Sequence, residues 1–397
     1  MLANGRPYLA IPGPSVMPDR VLNAMHRAAP NIYTGELHDI TRSLIPDLKA
    51  VARTAHQAAI YIGNGHAAWE ASLANVLSRG DTVLVLATGS FGHGWATMAR
   101  GLGATVEVID FGVTSPVDPA RVEAALTEDT TGRIKAVLVC QVDTATSARS
   151  DIAALREAMN RAGHPALLMV DCIASLACDR FEMDAWGVDV MVAASQKGLM
   201  TPPGLCFVFF GPKAESARER ANCVTGYWDW RPRTEPAYYS QYIDGTAPTH
   251  HIYGLRAALD MIAEEGGIEA VWARHAVLAG AVWAAFGAWS AAGPLRLNMA
   301  DPAFRSHAVT SAAIGAPDGD RLRAWAEETA GLTLGIGLGR TPEGGFFRIG
   351  HMGHVNAHMI LGVLGTIDAG LKALGIPHGK AALDAAAQVI ADATTRV

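Results

Sequence analysis

Short apolar runs alternate with helical patterns through the first half of this chain, and this alternation restricts the folds open to it. We predict strands at "DTVLVLA" (81–87), "TVEVID" (105–110), "IKAVLVC" (134–140), "ALLMVD" (166–171), "VDVMVAA" (188–194) and "GLCFVFFG" (204–211). Helices are predicted between several of them, at 65–78, 92–102, 118–126 and 150–162. Continuous apolar strands interleaved with helices predict an α/β fold with a mostly parallel central sheet covered on both faces. The last run follows its predecessor after a loop too short for a crossover, so we expect it to pair differently.

The pattern changes after about residue 255. Two alanine-rich helices lead to weaker strands and then to a helical region, with the helices at 254–264 and 268–291 and the strands near 307–314, 332–338 and 346–350. A chain of 397 residues is long enough for a large domain with a smaller partner. We therefore predict an N-terminal arm (1–20), a large domain (21–275) and a smaller α+β C-terminal domain (276–397).

Charge and cysteine content narrow the possible partners. The net charge is −6 and no cluster of four Lys/Arg occurs, so we expect neither nucleic acid nor an acidic membrane surface as a partner. Five cysteines without a C-x-x-C pair, and an N-terminus without a signal-peptide pattern, indicate a reducing, cytoplasmic compartment. The uncharged stretch 276–295 has larger residues every three or four positions, which predicts a buried helix and not a membrane span. His351 and His354 lack a third ligand at a suitable spacing, so no metal site is expected.

Three polar features lie at the predicted strand ends, where open α/β sheets bind ligands. The segment "GNGHAAWEASLANVL" (63–77) opens a helix, and the N–H groups of Asn64, Gly65 and His66 would suit a phosphate. Asp171 ends a buried strand, and Lys197 lies 26 residues later in "SQKGLMTPPG". Each alone has an ordinary explanation: a helix entry, a capping carboxylate and a solvated loop lysine. Together they suit a ligand with a phosphate, a basic ring nitrogen and an aldehyde, which are the groups of pyridoxal 5'-phosphate (PLP).

The chain resembles the class V aminotransferases of PLP fold type I, most closely the serine–glyoxylate and alanine–glyoxylate aminotransferases. The matching motifs follow the family's order: "PGPS" (12–15), "GNGHAAWEA" (63–71), "DTATS" (143–147), "VDCIAS" (170–175), "SQKGLMTPPGL" (195–205), "YWDW" (227–230), "TAPTHHIYGLRAAL" (246–259) and "FRIGHMG" (347–353). The resemblance implies PLP-dependent transamination from a small L-amino acid, serine or alanine, to glyoxylate or pyruvate. It also implies a homodimer, or a tetramer, with shared active sites.

The resemblance assigns the catalytic roles and the cofactor contacts. Lys197 would form the Schiff base with PLP, and Asp171 would hold the proton on the pyridine nitrogen. Phe91 would stack on the pyridine ring, and Thr144 would hydrogen-bond the polar edge of the cofactor. The start of the predicted helix, at Asn64, Gly65 and His66, completes this set on the phosphate side.

The remaining contacts concern the phosphate and the substrate. Gln196 and Thr246 would contact the phosphate, with Thr246 coming from the other subunit. Arg348 would bind the substrate carboxylate through a bidentate pair. The resemblance also implies that Gly13, within "PGPS", takes part in binding the substrate.

Departures from the family's usual pattern keep the substrate open. Phe91 replaces the usual Trp, Asn64 the frequent Ser or Thr, and Ser147 the usual Gly, and Asp244 stands where the family commonly has another residue. One alternative is a pyridoxamine–pyruvate-type aminotransferase, because a relative of that activity shares "RIGHMG"; a lyase of the same fold type is another. A desulfurase needs a cysteine on a C-terminal loop, and none follows Cys223. A non-catalytic binder of a phosphate ligand would leave Lys197 and Asp171 unexplained together.

Overall fold

The computed structural model describes residues 2–395, and its strands form two main sheets and a hairpin. The strands are β1 (Tyr8–Ala10), β2 (Gln57–Gly63), β3 (Thr82–Ala87), β4 (Thr105–Asp110), β5 (Ile134–Cys140), β6 (Val142–Asp143), β7 (Ala148–Arg149), β8 (Leu167–Asp171), β9 (Val190–Ala194), β10 (Gly204–Phe210), β11 (Arg296–Leu297), β12 (Val309–Ala313), β13 (Leu332–Ile336) and β14 (Phe346–Gly350). The large sheet has the order β2-β10-β9-β8-β5-β3-β4. Strand β10 runs antiparallel to both of its neighbours, and the other pairs are parallel, as expected for the last of the six predicted runs.

The large sheet is buried on both faces, which explains why its strands are continuously apolar. Along β3, Leu84 and Leu86 pack into one hydrophobic cluster, whereas Val83 and Val85 pack into the cluster on the opposite face. Successive side chains of a strand point to opposite faces, so a sheet with two covered faces needs apolar residues at every position. Burial of each such side chain contributes about 1.5–3 kcal/mol.

Helices cover both sheets. They are α1 (Asp19–Met25), α2 (Glu36–Ala52), α3 (Gly65–Val76), α4 (Ser90–Gly101), α5 (Pro119–Glu128), α6 (Ile152–Arg161), α7 (Pro212–Arg218), α8 (Arg231–Thr234), α9 (Thr249–Glu264), α10 (Ile268–Ser290), α11 (Asp318–Ala330), α12 (Ala357–Ala373) and α13 (Ala382–Thr394). Asp118 and Asp151 cap α5 and α6, because each side chain accepts a backbone N–H of the first turn. No helix among residues 2–395 is long and apolar enough to cross a membrane.

The smaller sheet combines the N-terminal arm with C-terminal strands. Its order is β1-β13-β14-β12-β11, and β1 pairs in parallel with β13. Helix α10 joins the two hydrophobic cores: Val271 packs with the large-sheet cluster and Val282 with the small-sheet cluster. The predicted division between residues 275 and 276 therefore falls within one continuous helix, and the division into domains stays a prediction.

The predicted strands occur within two residues of their predicted ends, which confirms the α/β architecture. Several elements were not predicted, and the longer ones among them are α1, α2 and β2. The predicted arm contributes to a sheet, because its residues Tyr8–Ala10 add a strand to the smaller sheet.

Candidate active site

Chain segments at the carboxyl ends of the large-sheet strands meet around a cavity of about 220 Å³. Asp171 ends β8, Lys197 follows β9, Thr144 follows β5 and Phe91 lies in the first turn after β3. The cavity is lined by Asn64, Gly65, His66, Trp69, Phe91, Val142, Thr144, Asp171, Ile173, Ala174, Gln196 and Lys197. This set contains every residue predicted to contact the cofactor except Thr246.

The turn that carries Lys197 is hydrogen-bonded to the "PGPS" segment. Ser15 donates its hydroxyl to the carbonyl of Lys197 (2.8 Å) and its backbone N–H to the carbonyl of Gln196 (2.9 Å). Nζ of Lys197 donates to the carbonyl of Pro12. Burial and, to a smaller extent, the nearby charge of Arg348 lower the pKa of Lys197 to about 8, although Asp171 opposes the shift. A substantial fraction of this amine is therefore neutral, and hence nucleophilic, just above neutral pH.

Asp171 is a buried carboxylate with donors on both oxygens. Oδ1 accepts the backbone N–H of Ile173 (2.7 Å), and Oδ2 accepts Nε1 of Trp69 (2.9 Å) and the thiol of Cys140 (3.6 Å). Burial raises the pKa of Asp171 to about 6, and these hydrogen bonds limit the rise. The side chain is thus mostly ionised at neutral pH and can hold a proton on a basic ring nitrogen.

The phosphate end of the cavity lies at the start of α3. The side chain of Asn64 caps this helix by accepting the N–H of His66 (3.0 Å), so one of the three predicted phosphate donors is already engaged within the chain. Gly65 must lack a side chain here, because a Cβ would lie 2.5 Å from Cδ1 of Ile173. Oε1 of Gln196 is buried and has no hydrogen-bond partner among the described residues. A phosphate accepts hydrogen bonds, so Gln196 would bind it through the NH2 group of the same amide.

A second cavity, of about 410 Å³, continues from the first. It shares Phe91, Thr144 and Lys197 with the first cavity and adds Gly13 and Arg348. The predicted cofactor site and the predicted substrate site are therefore neighbours that share the amine of Lys197.

The guanidinium of Arg348 is anchored by backbone carbonyls. Nε donates to the carbonyl of Ile336 (2.7 Å), and Nη1 donates to the carbonyl of Thr144 (2.9 Å). Burial lowers the pKa of Arg348 to about 10, so the group stays cationic at neutral pH. Since a guanidinium has five N–H donors, three remain for a ligand once these two bonds are made. They lie at the Nη1 and Nη2 ends of the fork, which is the geometry that a carboxylate accepts.

Gly13 lies against the side chain of Lys197. Its φ is +105°, and a Cβ at this position would lie 2.6 Å from Cδ and 2.7 Å from Cε of Lys197. The close approach and the backbone conformation both require glycine. Gly13 therefore brings backbone, rather than a side chain, to the substrate cavity.

Thr246 lies apart from the other predicted cofactor contacts. It is exposed and lines a different groove, of about 820 Å³, together with Tyr33 and Tyr238. These tyrosines are 81% and 64% exposed. Within one chain, this residue does not reach the cavity at Lys197.

Two residues of the site were not singled out in the sequence. Asp143 is fully buried, and its carboxylate accepts the N–H groups of Phe91 (2.8 Å), Gly92 (3.2 Å) and Ala145 (3.0 Å). It thereby caps α4 from another segment and fixes the backbone of Phe91. Burial raises the pKa of Asp143, and the three N–H groups and Arg348 oppose this. The sequence feature that could have identified Asp143 is its position after a buried strand, because a buried carboxylate must find hydrogen-bond partners.

Trp69 is the second such residue. It is 1% exposed, and its indole N–H bonds Asp171. Its edge-on contacts with His66 and Phe91 have ring centroids 4.7 Å and 6.3 Å apart. The available signal was that a buried tryptophan N–H usually finds an acceptor, but the sequence could not name the acceptor.

The residues present fit the predicted cofactor. A partly neutral lysine, an ionised buried carboxylate and an aromatic ring surround one cavity. At the phosphate end, the start of α3 and the amide NH2 of Gln196 provide hydrogen-bond donors. Each reactive part of PLP therefore has a counterpart among the side chains.

Comparisons with known proteins identify the family of the chain. The family described as "Aminotransferase class-V" matches residues 8–314. The serine–glyoxylate aminotransferase of Methylorubrum extorquens is 38% identical over 93% of both chains. The L-aspartate–glyoxylate aminotransferase of Paracoccus denitrificans is 36% identical over 92% of this chain and 91% of the relative. The crystal structure of pyridoxamine–pyruvate aminotransferase from Mesorhizobium loti superposes with a TM-score of 0.87 and 25% identity, over 98% of both chains.

Proposed function

We propose that this chain, which belongs to the class V aminotransferases, transfers an amino group from a small L-amino acid to glyoxylate. Enzymes of this class use PLP as their cofactor. Serine–glyoxylate and L-aspartate–glyoxylate relatives support glyoxylate as the acceptor, and the first supports serine as the donor. The observation that carries the proposal is that Lys197, Asp171 and Arg348 surround two adjoining cavities.

When bound, PLP supplies a conjugated ring that accepts the electron pair left on Cα of the donor. Lys197 would hold the cofactor through its aldehyde, and the free amine of Lys197 would move the proton between Cα of the donor and C4' of the cofactor. Asp171 would hold the proton on the ring nitrogen, and Phe91 would cover one face of the ring. Thr144 binds the polar edge of the cofactor.

The proposed phosphate contacts are the first turn of α3, at Asn64, Gly65 and His66, and the amide of Gln196. The backbone N–H groups and the positive end of the helix dipole favour an anion there. On the substrate side, Arg348 binds the carboxylate of the donor and then that of the acceptor. Gly13 brings backbone close enough to restrict how the bound carboxylate lies.

A half-reaction screen tests this function. The PLP form of the purified protein is mixed with one amino acid at a time, and loss of the visible absorbance of the lysine-bound cofactor is followed. Serine or alanine should remove that absorbance, and glyoxylate or pyruvate should restore it. The Lys197→Ala variant should keep a native circular dichroism spectrum and show neither change. Normal turnover by that variant contradicts the proposal, and a response to pyridoxamine alone favours the pyridoxamine–pyruvate alternative.

We further propose a homodimer in which Thr246 completes the phosphate site of the other subunit. The exposure of Thr246, and its distance in the fold from the cavity of its own chain, support this. Lys197→Ala and Thr246→Ala should each impair the enzyme, and mixed dimers of the two should regain one intact site. Normal PLP affinity of Thr246→Ala, or the absence of any recovery after subunit exchange, argues against shared sites.

A reducing, cytoplasmic location is proposed with this activity. All five cysteines are free thiols in the structure, and four of them are buried. Thiols persist in reducing compartments. Cell fractionation that places the protein in an oxidising compartment contradicts this location.

A further inference from the structure

We propose that Trp69 is a positioning residue whose indole N–H keeps Asp171 ionised and oriented towards the ring nitrogen of the cofactor. The inference rests on the proposed role of Asp171. It assigns to Trp69 a function that packing alone does not require.

The geometry of Trp69 connects it to the cofactor contacts. Nε1 lies 2.9 Å from Oδ2 of Asp171, although 102 residues separate the two in sequence. The same indole ring contacts Phe91 and His66 edge-on. One side chain of α3 therefore contacts the carboxylate proposed to bind the ring nitrogen, the aromatic ring proposed to stack on PLP and a residue at the phosphate end.

The acceptor capacity of Asp171 explains why this donor matters. An ionised carboxylate offers about four acceptor positions. Three are taken, by the backbone N–H of Ile173, by Trp69 and by the thiol of Cys140 at 3.6 Å. One position is left for a ring N–H. Among the two side-chain donors, the indole is the stronger, because a thiol is a weak donor at a longer distance.

The charges around Asp171 make its ionisation sensitive to that bond. Lys197 favours the ionised form, whereas Asp143 disfavours it. The buried thiols Cys140 and Cys172, on neighbouring segments, stay neutral because burial raises their pKa. Burial already raises the pKa of Asp171 to about 6, and the hydrogen bond from Trp69 opposes that rise. Loss of the indole N–H should raise the pKa further, so that the carboxyl becomes protonated at slightly acidic pH.

The test compares cofactor affinity at two pH values. Full-length holoenzyme, as wild type and as Trp69→Phe, is dialysed against graded PLP concentrations at pH 6 and at pH 8.5, and the retained cofactor is measured. If the pKa rises by about one unit, the ratio of the variant's Kd to that of wild type should be about fivefold larger at pH 6 than at pH 8.5. The titration of PLP itself is common to both proteins and cancels in the ratio.

Trp95 offers a matched control. It is also fully buried and stacks on Trp69 with ring centroids 6.0 Å apart, but its indole N–H has no partner among the described residues. Trp95→Phe should therefore show the same Kd ratio to wild type at both pH values. In an Asp171→Asn background, Trp69→Phe should add no pH-dependent change, because the titrating group is gone.

Two outcomes would refute the role of Trp69, and a third would refute the proposed function. A Kd ratio for Trp69→Phe that does not change with pH shows a purely structural role for Trp69. If Trp69→Phe fails to fold, β-(3-benzothienyl)alanine at this position keeps the ring shape and removes the N–H, and an unchanged ratio there also refutes the inference. Failure of the wild-type protein to retain PLP at either pH would instead refute the proposed function.

Discussion

The carbonyl oxygen of Pro12 accepts a hydrogen bond from Nζ of Lys197, and the two residues are 185 positions apart in sequence. Ser15 holds the same turn through the carbonyls of Gln196 and Lys197. The "PGPS" segment thus closes over the lysine and buries the amine, and burial is the largest cause of its lowered pKa. A motif of the N-terminal arm therefore borders the candidate active site although it lies in no strand or helix.

Substitution of Gly13 by alanine should disturb this contact. A Cβ would overlap the Lys197 side chain, and a φ of +105° costs a non-glycine residue about 1–3 kcal/mol. We expect Gly13→Ala to keep its fold, to lose at least about tenfold in kcat and to bind PLP more weakly. Steady-state kinetics and dialysis against PLP measure both effects.

Gly5→Ala is the matched control for this prediction. Gly5 lies in the same arm with a φ of +144°, but a Cβ there would meet no atom within 4 Å. It carries a similar backbone cost without the contact to Lys197. Equal losses in the two variants would show that strain in the arm, and not the overlap with the lysine, is responsible.

The lowered pKa of Lys197 predicts how its reactivity depends on pH. Only the neutral amine attacks an electrophile, so the labelling rate of Lys197 by trinitrobenzenesulfonate in the PLP-free protein should rise with pH, with its midpoint at about 8, and level off about one pH unit higher. Peptide mass spectrometry measures this rate for Lys197 separately from the other lysines. Because the positive charge of Arg348 also lowers this pKa, Arg348→Met should raise the pKa of Lys197, so that the midpoint moves to higher pH and less of the amine is neutral at any given pH. A midpoint equal to that of an exposed lysine side-chain amine would contradict the buried environment of Lys197.

The large sheet could be predicted from the sequence because its evidence is local. Each of the six predicted runs is continuously apolar, and both faces of the sheet are covered. Strand β2 was missed, since its segment "QAAIYIG" contains two alanines, which have low strand propensity, and its order comes from pairing with β10. Helix α2 was missed for a different reason: it contains Pro46, a residue that normally marks a helix end.

The site was predictable where one motif carried one role, and not where two distant segments meet. Lys197 and Asp171 lie at strand ends, and parallel strands bring such ends to one edge. The bonds from Trp69 to Asp171 and from Phe91 to Asp143 span 102 and 52 residues, and no local pattern specifies either. Thr246 differs again, because its proposed partner is a second copy of the chain.

Asp143 should stabilise both the fold and the position of Phe91. An amide has one acceptor oxygen, so Asp143→Asn cannot satisfy all three backbone N–H groups and turns its own N–H groups towards donors. We expect a loss of about 1–3 kcal/mol in the free energy of unfolding, measured by urea denaturation, and weaker PLP binding.

The control for Asp143 is another helix cap. Asp151 caps α6 by accepting the N–H of Ala154 (3.0 Å) and lines neither cavity of the site. Because asparagine caps helices about as well as aspartate, Asp151→Asn should change the free energy of unfolding by less than about 0.5 kcal/mol and leave PLP affinity unchanged. Wild-type stability and PLP affinity in Asp143→Asn would mean that its carboxylate is dispensable.

Arg348→Lys should weaken every reaction in which a carboxylate binds. The guanidinium is held by the carbonyls of Ile336 and Thr144, and its remaining N–H groups form a planar fork that an ammonium cannot reproduce. We expect kcat/KM to fall at least about tenfold for all α-amino acid donors, equivalent to about 1.4 kcal/mol. The control is Arg340→Lys. The guanidinium of Arg340 donates to the carbonyl of Val113 outside both cavities, so this variant should leave kcat/KM unchanged.

The two half-reactions are measured separately, because pyridoxamine has no carboxylate. If pyridoxamine is the true donor, Arg348→Lys should slow only the oxo-acid half-reaction. A loss confined to one amino acid would instead show that Arg348 contacts the donor's side chain, and the proposed orientation of the substrate would be wrong.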